Sequence, residues 1–269
     1  MTAPVLAPPR VVPTVHPGTR LWRLVERNAL AYRRQWYIFA SGFAEPVLFL
    51  LSIGIGVGKL VGDVHVGSQV VSYRAFVAPG LMATAAMNGS VLDTTFNFFI
   101  KYKYMRTYDA ILATPVKAFD VAAGEVTWAL LRGAIYAVAF LATIAAFGNV
   151  ESWWALLAVP VAVLIGFAFA GTGLAATTFM RSFVDFDYVA VALNPMFLFS
   201  TTFFPLTRYP VALQVLVRCT PLYQGVVLER ALLLGDVHWT LLVHVAYLAV
   251  MGAVSVRVAS RRIGRLLQP

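Results

Sequence analysis

Six apolar stretches, each long enough to cross a bilayer as a helix, dominate this chain of 269 residues. One crossing needs about 20 predominantly apolar residues. Hydrophobic residues make up 60% of the chain and charged residues 12%, whereas soluble domains carry about 25% charged residues. A soluble fold could not bury so much apolar surface, so the sequence predicts an all-α integral membrane protein with six transmembrane helices. The six windows are 37–61, 76–100, 121–147, 154–180, 186–205 and 238–260.

Basic residues are distributed unevenly between the two sides of the predicted membrane. Fifteen lysines and arginines lie on the side of the termini and of the connections after the second and fourth windows, and five lie on the other side. Because cytoplasmic segments collect Lys and Arg, we expect both termini to be cytoplasmic. The same rule explains the net charge of +9, so no nucleic-acid partner is expected.

The chain before the first window divides into two parts. Residues 1–19 are rich in proline and lack the apolar core of a signal peptide, which indicates a disordered cytoplasmic tail. Residues 20–36 mix apolar and basic residues at helical spacing and predict an amphipathic interfacial helix, with a plain charged lead-in as the alternative. Arg23 and Arg27 would face headgroups or solvent, and residues 37–269 would form the six-span domain. The side chains expected to face lipid are Leu21, Leu24, Val25 and Leu30.

The fifth window ends in a sequence that cannot continue a membrane helix. We expect the helix to break at Pro205. The connection 206–236 is too apolar for a free loop, and its two apolar stretches are each too short to span. They predict two short re-entrant or interfacial helices that are separated at Pro221 and end at Gly235, a typical cap. The residues of interest in this element are Pro221, Tyr223, Glu229 and Arg230.

The connection between the second and third windows, residues 101–120, is polar and cytoplasmic by charge. It predicts a short helix over 107–113, which Pro115 would stop because its ring disfavours helical backbone at Thr114. A pump driven by a separate ATPase needs a rigid cytoplasmic element that docks on the motor. The spacing favours such an element and a simple surface connector equally.

Four ionisable residues lie inside the predicted spans, where charges are costly and mark a pair or a function. They are Glu45, Asp93, Glu125 and Arg132. Glu125 is close to the membrane interface and too far along the helix to pair with Arg132. We therefore predict that Arg132 pairs with Asp93 or Glu45. A static ion pair is favoured over a contact with a substrate headgroup and over a proton relay.

Aromatic residues crowd the inner end of the second window and the outer part of the fifth. Packing against lipid explains most of them, and the alternative is a path for an amphiphile at a dimer interface. The candidates for that path are Phe96, Phe99, Phe199, Phe203 and Phe204.

Four motifs in order carry a resemblance to a known family. They are YDAILATPV at 108–116, the pair Gly124 and Glu125, LNPMFLFSTTFFPL at 193–206, and TPLYQGVVLERALLLG at 220–235. Together they resemble the ABC-2 type permeases, nearest to the nodulation-J-like branch. The resemblance extends over nearly all of the chain after the proline-rich tail. One departure is Gln224, where the family often carries His.

The resemblance implies a dimer of permease subunits, or a permease with a paralogue, driven by two copies of a cytoplasmic ABC ATPase. ATP and Mg²⁺ would be bound by that partner, and this chain has no phosphate-loop motif and would bind no cofactor or metal. The family contacts its ATPase through the interfacial helix and the loop after the second span. The residues that correspond here are Arg23, Arg27, Tyr108, Asp109, Ile111, Leu112, Thr114 and Pro115.

The function that follows from the resemblance is ATP-driven export of a large amphiphile across a bacterial cytoplasmic membrane. A glycolipid, a lipo-oligosaccharide or a drug would suit an apolar path, and membrane lipid would surround it. Two alternatives remain. One is an ion-coupled secondary transporter that uses the intramembrane charges, although no inverted repeat is evident. The other is a membrane enzyme acting on a lipid-linked substrate, although the four histidines of this chain are scattered along the sequence and form no cluster.

Overall fold

A computed structural model describes residues 17–33, 36–66, 69–114, 116–148, 150 and 152–267. The protein is an all-α integral membrane protein. Most of the predicted tail lies outside the described residues, but residues 17–19 already belong to the first helix. The helices are α1 (Pro17–Arg33), α2 (Trp36–Leu51), α3 (Gly58–Val61), α4 (Tyr73–Leu92), α5 (Thr107–Leu112), α6 (Ala118–Ala146), α7 (Ala158–Thr177), α8 (Phe186–Phe199), α9 (Val211–Cys219), α10 (Pro221–Leu234) and α11 (Leu241–Leu267).

Five helical runs within the described residues are long and apolar enough to cross a membrane. The second is the longest, because α4 continues through two π-helical segments, Asp93–Asn97 and Ile100–Tyr104, to a total of 32 residues. These runs confirm five of the six predicted windows. They are Ala44–Val61, Tyr73–Tyr104, Ala118–Ala146, Trp153–Thr177 and Leu241–Leu266.

The fifth window does not form one continuous span. Helix α8 has 14 residues, or about 21 Å at 1.5 Å per residue, which is shorter than a hydrocarbon core of about 30 Å. It ends at Phe199, six residues before the predicted break at Pro205. Thr201 has a φ of 63°, in the left-handed region that ends helices, and the Ser200 hydroxyl donates to the Phe197 carbonyl at 2.8 Å. The break therefore comes from the polar residues at 200–201 and precedes Pro205.

The two short helices predicted after the fifth window are confirmed. Helices α9 and α10 meet at Thr220 with an angle of 86° between them, and Pro221 is the first residue of α10. Gly235 ends α10 with a φ of 83°. Leu222, Val226 and Leu233 on α10 are buried against neighbouring spans, so this helix packs inside the protein and does not lie on the membrane surface.

A small hairpin between the first two spans was not predicted. Strand β1 (Asp63–Val66) pairs antiparallel with β2 (Gln69–Ser72), with Val64 opposite Val71. Val71 is buried and its neighbours Val70 and Ser72 are exposed, which is the alternation expected of a half-buried strand. Ser72 then caps α4 by accepting a hydrogen bond from the Ala75 N–H at 3.2 Å.

Helix α7 lies at the centre of the bundle and contacts α4, α6 and α11. Small residues allow these contacts, because they let helix backbones approach closely. A Cβ atom on Gly171 would lie 3.0 Å from the Gly252 carbonyl of α11, and one on Gly173 would lie 2.6 Å from the Thr94 hydroxyl. Larger side chains at either position would push the spans apart.

Helix α1 packs on protein more than the sequence indicated. Leu24 and Val25, which were predicted to face lipid, are buried. Leu24 lies on the N-terminal part of α6, where Gly124 leaves room for it. Leu30 is 62% exposed, in keeping with a lipid-facing position. The error arises because helical periodicity identifies an apolar face but not the surface that covers it.

Candidate functional site

A cavity of about 340 Å³ lies between α2, α4, α6 and α8, and three of the four intramembrane charges line it. They are Glu45, Asp93 and Arg132, which come from three different helices. The amide side chains of Asn88 and Asn194 line the same cavity. Ionisable and amide groups within spans normally face a protein interior or a water-filled cavity, so this is the principal candidate for a binding site in the membrane.

Asp93 and Arg132 form a buried ion pair, as predicted. Arg132 Nη2 donates to Asp93 Oδ1, and each side chain is 6% exposed. The Asn97 amide donates to the same carboxylate oxygen at 2.8 Å. The Arg132 guanidinium also lies 5.9 Å from the centre of the Tyr136 ring, within the range of a cation–π contact. Glu45, the other predicted partner, is exposed at the cavity.

The helix that carries Asp93 changes geometry at that residue. Asp93 begins the first π-helical segment, and such segments often occur at functional sites. The hydroxyls of Thr94 and Thr95 bond back to the Ser90 and Val91 carbonyls at 2.8 and 2.6 Å. These bonds satisfy backbone groups that the wider turn would leave unpaired in a region without water.

A second polar cluster lies around Glu125, in the N-terminal part of α6. This carboxylate is buried and accepts from Lys101 Nζ at 2.7 Å, from Arg27 Nη2 at 3.2 Å and from the Asn28 amide at 3.2 Å. The cluster therefore joins α1, the inner end of the second span and α6. Arg27 was predicted to face headgroups or an ATPase, but its guanidinium turns inward to Glu125. We call Arg27, Asn28, Lys101 and Glu125 the Glu125 cluster.

The short helix α5 is confirmed within one residue, and its side chains divide into an inner and an outer set. Tyr108 is fully buried and stacks on Phe98 with ring centres 4.9 Å apart. Burial, followed by the neighbouring Glu125 carboxylate, raises the pKa of Tyr108 well above its usual value, so its hydroxyl stays neutral. Ile111 and Leu112 pack against the same core.

Four exposed residues form the outer face of this element: Asp109, Ala110, Ala113 and Thr114. We call them the α5 face. Tyr108, Ile111 and Leu112 were predicted to contact an ATPase, but they hold α5 on the bundle instead. Asp109 and Thr114 remain available for such a contact, as does Arg23, which pairs with Glu26 at 2.9 Å on the surface of α1. Pro115 lies outside the described residues.

The aromatic residues assigned to a substrate path lie in two places. Phe99 is buried, with ring centres 5.4 and 5.3 Å from Phe183 and Phe186. It fastens the start of α8 to the inner end of the second span and cannot line a path. Phe96 is 41% exposed beside the same rings.

The remaining three path candidates follow the break in α8. Phe203 packs half-buried on Phe197 with ring centres 5.2 Å apart, and Phe197 lines the cavity. Phe199 and Phe204 are exposed.

The α9–α10 element supports the broken end of α8 through Arg230, a role that the sequence did not indicate. Arg230 Nη2 donates to the Thr201 carbonyl at 2.6 Å, and the guanidinium lies 4.1 Å from the centre of the Phe76 ring. Glu229 is fully buried, and neither carboxyl oxygen has a hydrogen-bond partner among the described residues. Pro221 and Tyr223 lie near the start of α10 and are partly exposed.

The sequence that forms these elements matches a known family. The family model for the ABC-2 type transporter matches residues 19–234. The chain belongs to the ABC-2 type transporter family. Nodulation protein J of Rhizobium leguminosarum bv. viciae is 32% identical over 262 residues, which cover 94% of this chain and 99% of that protein. Nodulation protein J of Rhizobium meliloti is 31% identical over 252 residues, or 93% of each chain.

A further relative carries a transport name. The inner membrane transport permease YadH of Escherichia coli is 28% identical over 194 residues, covering 69% of this chain and 72% of YadH. The protein is thus an ABC-2 permease of the nodulation-J-like type. The matched residues of this ABC-2 permease include α1, the α5 face, the Glu125 cluster and the whole lining of the charged cavity.

Proposed function

We propose that this permease is the membrane-spanning subunit of an ATP-driven exporter that moves a large amphiphile across the cytoplasmic membrane. Two copies of a separate ATPase bind on the cytoplasmic side, and the substrate passes between two permease copies or between this chain and a paralogue. Both termini lie in the cytoplasm. The amphiphile is a glycolipid, a lipo-oligosaccharide or a drug. The ABC-2 type transporter family and the name of the transport permease YadH support transport.

The observation that carries this proposal is the way α5 is held. Its inner residues anchor it in the core through Tyr108, and its outer residues are exposed on the side that carries most of the basic residues. A helix fixed in this way transmits a push from a docked protein to the spans without bending. The Glu125 cluster links the same region to α1, so both elements would move together.

The charged cavity supports an amphiphilic substrate. It combines charged and amide groups with the apolar side chains of Phe49, Phe140 and Phe197. Ligand sites of this kind are mostly apolar with a few polar groups that fix orientation. A polar headgroup would contact Glu45, Asn88 or Asn194, and the acyl or aromatic part would follow the exposed rings near Phe199.

The first experiment is purification of the tagged chain from its native membrane in mild detergent, followed by mass spectrometry of its partners. We expect an ATPase at equal copy number. Asp109→Arg reverses a charge on the α5 face and should remove the ATPase from the complex. Asp187→Arg makes the same change on an exposed residue at the start of α8 and should leave it bound. Recovery of the wild-type chain alone, under conditions that keep other membrane complexes intact, would refute the proposal.

A second candidate function is ion-coupled secondary transport. It is favoured by one observation, that Glu45, Asp93 and Arg132 line a single cavity. Transport by inverted membrane vesicles separates the two functions. If uptake of the amphiphile needs ATP and persists after a proton uncoupler is added, the exporter is supported. If uptake of the amphiphile needs a proton gradient and is lost in Glu45→Gln, the carrier is supported.

A further inference from the structure

A second cavity, about 690 Å³ in volume, lies behind α8 and does not include the charged residues of the first. Its walls come from α4, α7, α8 and α11, and Pro221 closes one end. We call it the α8 groove. Its volume is in the range of small-molecule sites, about 300–1,000 Å³.

The α8 groove exists because α8 packs on the bundle only through half-buried side chains. Helix α8 has no buried residue along its 14 positions, whereas about half of the preceding span is buried. Val189, Leu193 and Met196 face the gap from α8, and Phe169 and Met251 face it from the other side. An apolar gap of this size beside lipid would not stay empty.

The dimensions of the groove match one leaflet. It runs from Asp185, directly before α8, to Met196 on α8, which is 11 helical steps, or about 16 Å at 1.5 Å per residue. Half of a hydrocarbon core of about 30 Å has the same depth. The groove therefore has room for hydrocarbon from its open end to the middle of the membrane, where Pro221 stops it.

The open end of the groove carries charge. Arg181 is exposed there, and the Arg262 guanidinium lies 3.5 Å from the centre of the Phe179 ring, which forms part of the wall. Asp185 also lies at this end, but its Oδ2 accepts the backbone N–H groups of Arg181 and Ser182 at 2.6 and 3.1 Å. These bonds lower the pKa of Asp185 and fix the turn that positions Arg181. Because two arginines and one carboxylate lie at this end of the groove, the net positive charge favours binding of an anionic group there.

We propose that the α8 groove binds one acyl chain of a glycerophospholipid from the leaflet on the arginine-rich side, with the lipid phosphate at Arg181. The lipid fills the space between α8 and the bundle and holds the half-span in place. This site is separate from the charged cavity, and it does not depend on whether the transported substrate is itself a lipid.

The test uses the full-length protein, with any partners that copurify, in nanodiscs containing a photoreactive phosphatidylglycerol whose diazirine lies near the end of one acyl chain. After illumination, mass spectrometry maps the labelled peptides. We expect adducts concentrated at the far end of the groove, in 169–173 and 192–196. Labelling spread evenly over the lipid-facing helices, or covalent links between the groove peptides and a second copy, would overturn the proposal.

Two alanines on α8 provide a matched pair of variants. Ala192 lines the groove, whereas Ala190 is exposed on the same helix outside it. Ala192→Phe should fill the groove and lower the adduct yield by about ten-fold, because it displaces two or three methylene groups. Ala190→Phe should keep the wild-type yield. Equal labelling of the two variants would contradict the assignment.

The phosphate contact is tested on the wild-type protein, so that the result does not depend on a variant folding. Unlabelled phosphatidylglycerol should compete with the probe at least about ten-fold better than diacylglycerol with the same chains, since only the first carries a charged partner for Arg181. In Arg181→Gln this preference should shrink, and in Arg265→Gln, an exposed arginine further along α11, it should not. Equal competition by both lipids in the wild type would refute the phosphate site.

Discussion

Arg132 is tolerated inside a span because its charge is met on several sides. Asp93 neutralises it, Asn97 holds the carboxylate, and the Tyr136 ring lies beside the guanidinium. A buried ion pair of this kind adds little net stability, because both groups lose their hydration. Removal of one partner is strongly destabilising, because it leaves the other charge buried and unpaired.

We expect Asp93→Asn and Arg132→Gln each to lower the free energy of unfolding by about 3–5 kcal/mol. The double variant should lose less than the sum, because no unpaired charge remains. The measurement is thermal unfolding in detergent, followed by size-exclusion chromatography.

An exposed pair supplies the control for this cycle. Asp236 and His238 lie 2.7 Å apart with both side chains 65% exposed, and Asp236→Asn should cost less than about 1 kcal/mol. Additive losses in the Asp93 and Arg132 double variant would show that the two groups do not interact.

Glu125 is expected to control the attachment of α1. Glu125→Gln leaves Lys101 and Arg27 without a negative partner and should cost about 1.5–3 kcal/mol, the value of hydrogen bonds to a charged group. Hydrogen exchange should become faster in residues 17–33. Glu26→Gln removes the exposed pair with Arg23 on the same helix and should leave exchange unchanged. If hydrogen exchange in α1 stays slow in Glu125→Gln, the apolar contact of Leu24 is sufficient to hold α1 on the bundle.

At the scale of the element, the half-span α8 poses the hardest physical problem. The residues that follow it, Ser200, Thr201 and Thr202, are non-helical and buried, and backbone groups at this depth need partners from the protein. Arg230 supplies one by donating to the Thr201 carbonyl. Helix α10 thus supports the break in α8 as well as packing on the central span.

Arg230→Met should therefore destabilise the fold by about 2–5 kcal/mol, since it leaves a buried carbonyl without a donor and removes a packed side chain. Arg218→Met changes an exposed arginine of the adjoining helix α9 and should have an effect within about 0.5 kcal/mol. Thermal unfolding of the two variants gives the comparison. If Arg230→Met and Arg218→Met are equally stable, the hydroxyl groups of residues 200–202 are enough to support this segment, and Arg230 is not needed.

At the scale of the whole molecule, the distribution of basic residues predicts the orientation in the membrane. Cys219 is the one cysteine of the chain, so Cys219→Ser gives a background for labelling. In intact cells a membrane-impermeant thiol reagent should label Trp239→Cys, which replaces a residue that is 80% exposed between α10 and α11. Thr114→Cys on the α5 face should react only after lysis. The opposite pattern would place the termini outside.

Local chemistry was enough to predict the class of the protein, five of its spans, the short helix α5 and the re-entrant pair α9–α10. Apolar length, proline and terminal glycine act within about one helix, so they can be read from neighbouring residues. The pairing of Arg132 with Asp93 could also be predicted from the sequence, because few ionisable partners exist inside the membrane and their depth follows from helical rise.

Packing between distant segments decided the rest. The inward turn of Arg27, the three contacts of Glu125 and the support of Thr201 by Arg230 join residues that are 24 to 98 positions apart in the chain. Periodicity shows that a helix has an apolar or a charged face, but the free energy of a charge depends on which group lies opposite it. That choice, and the gap behind α8, exist only once the helices are placed against one another.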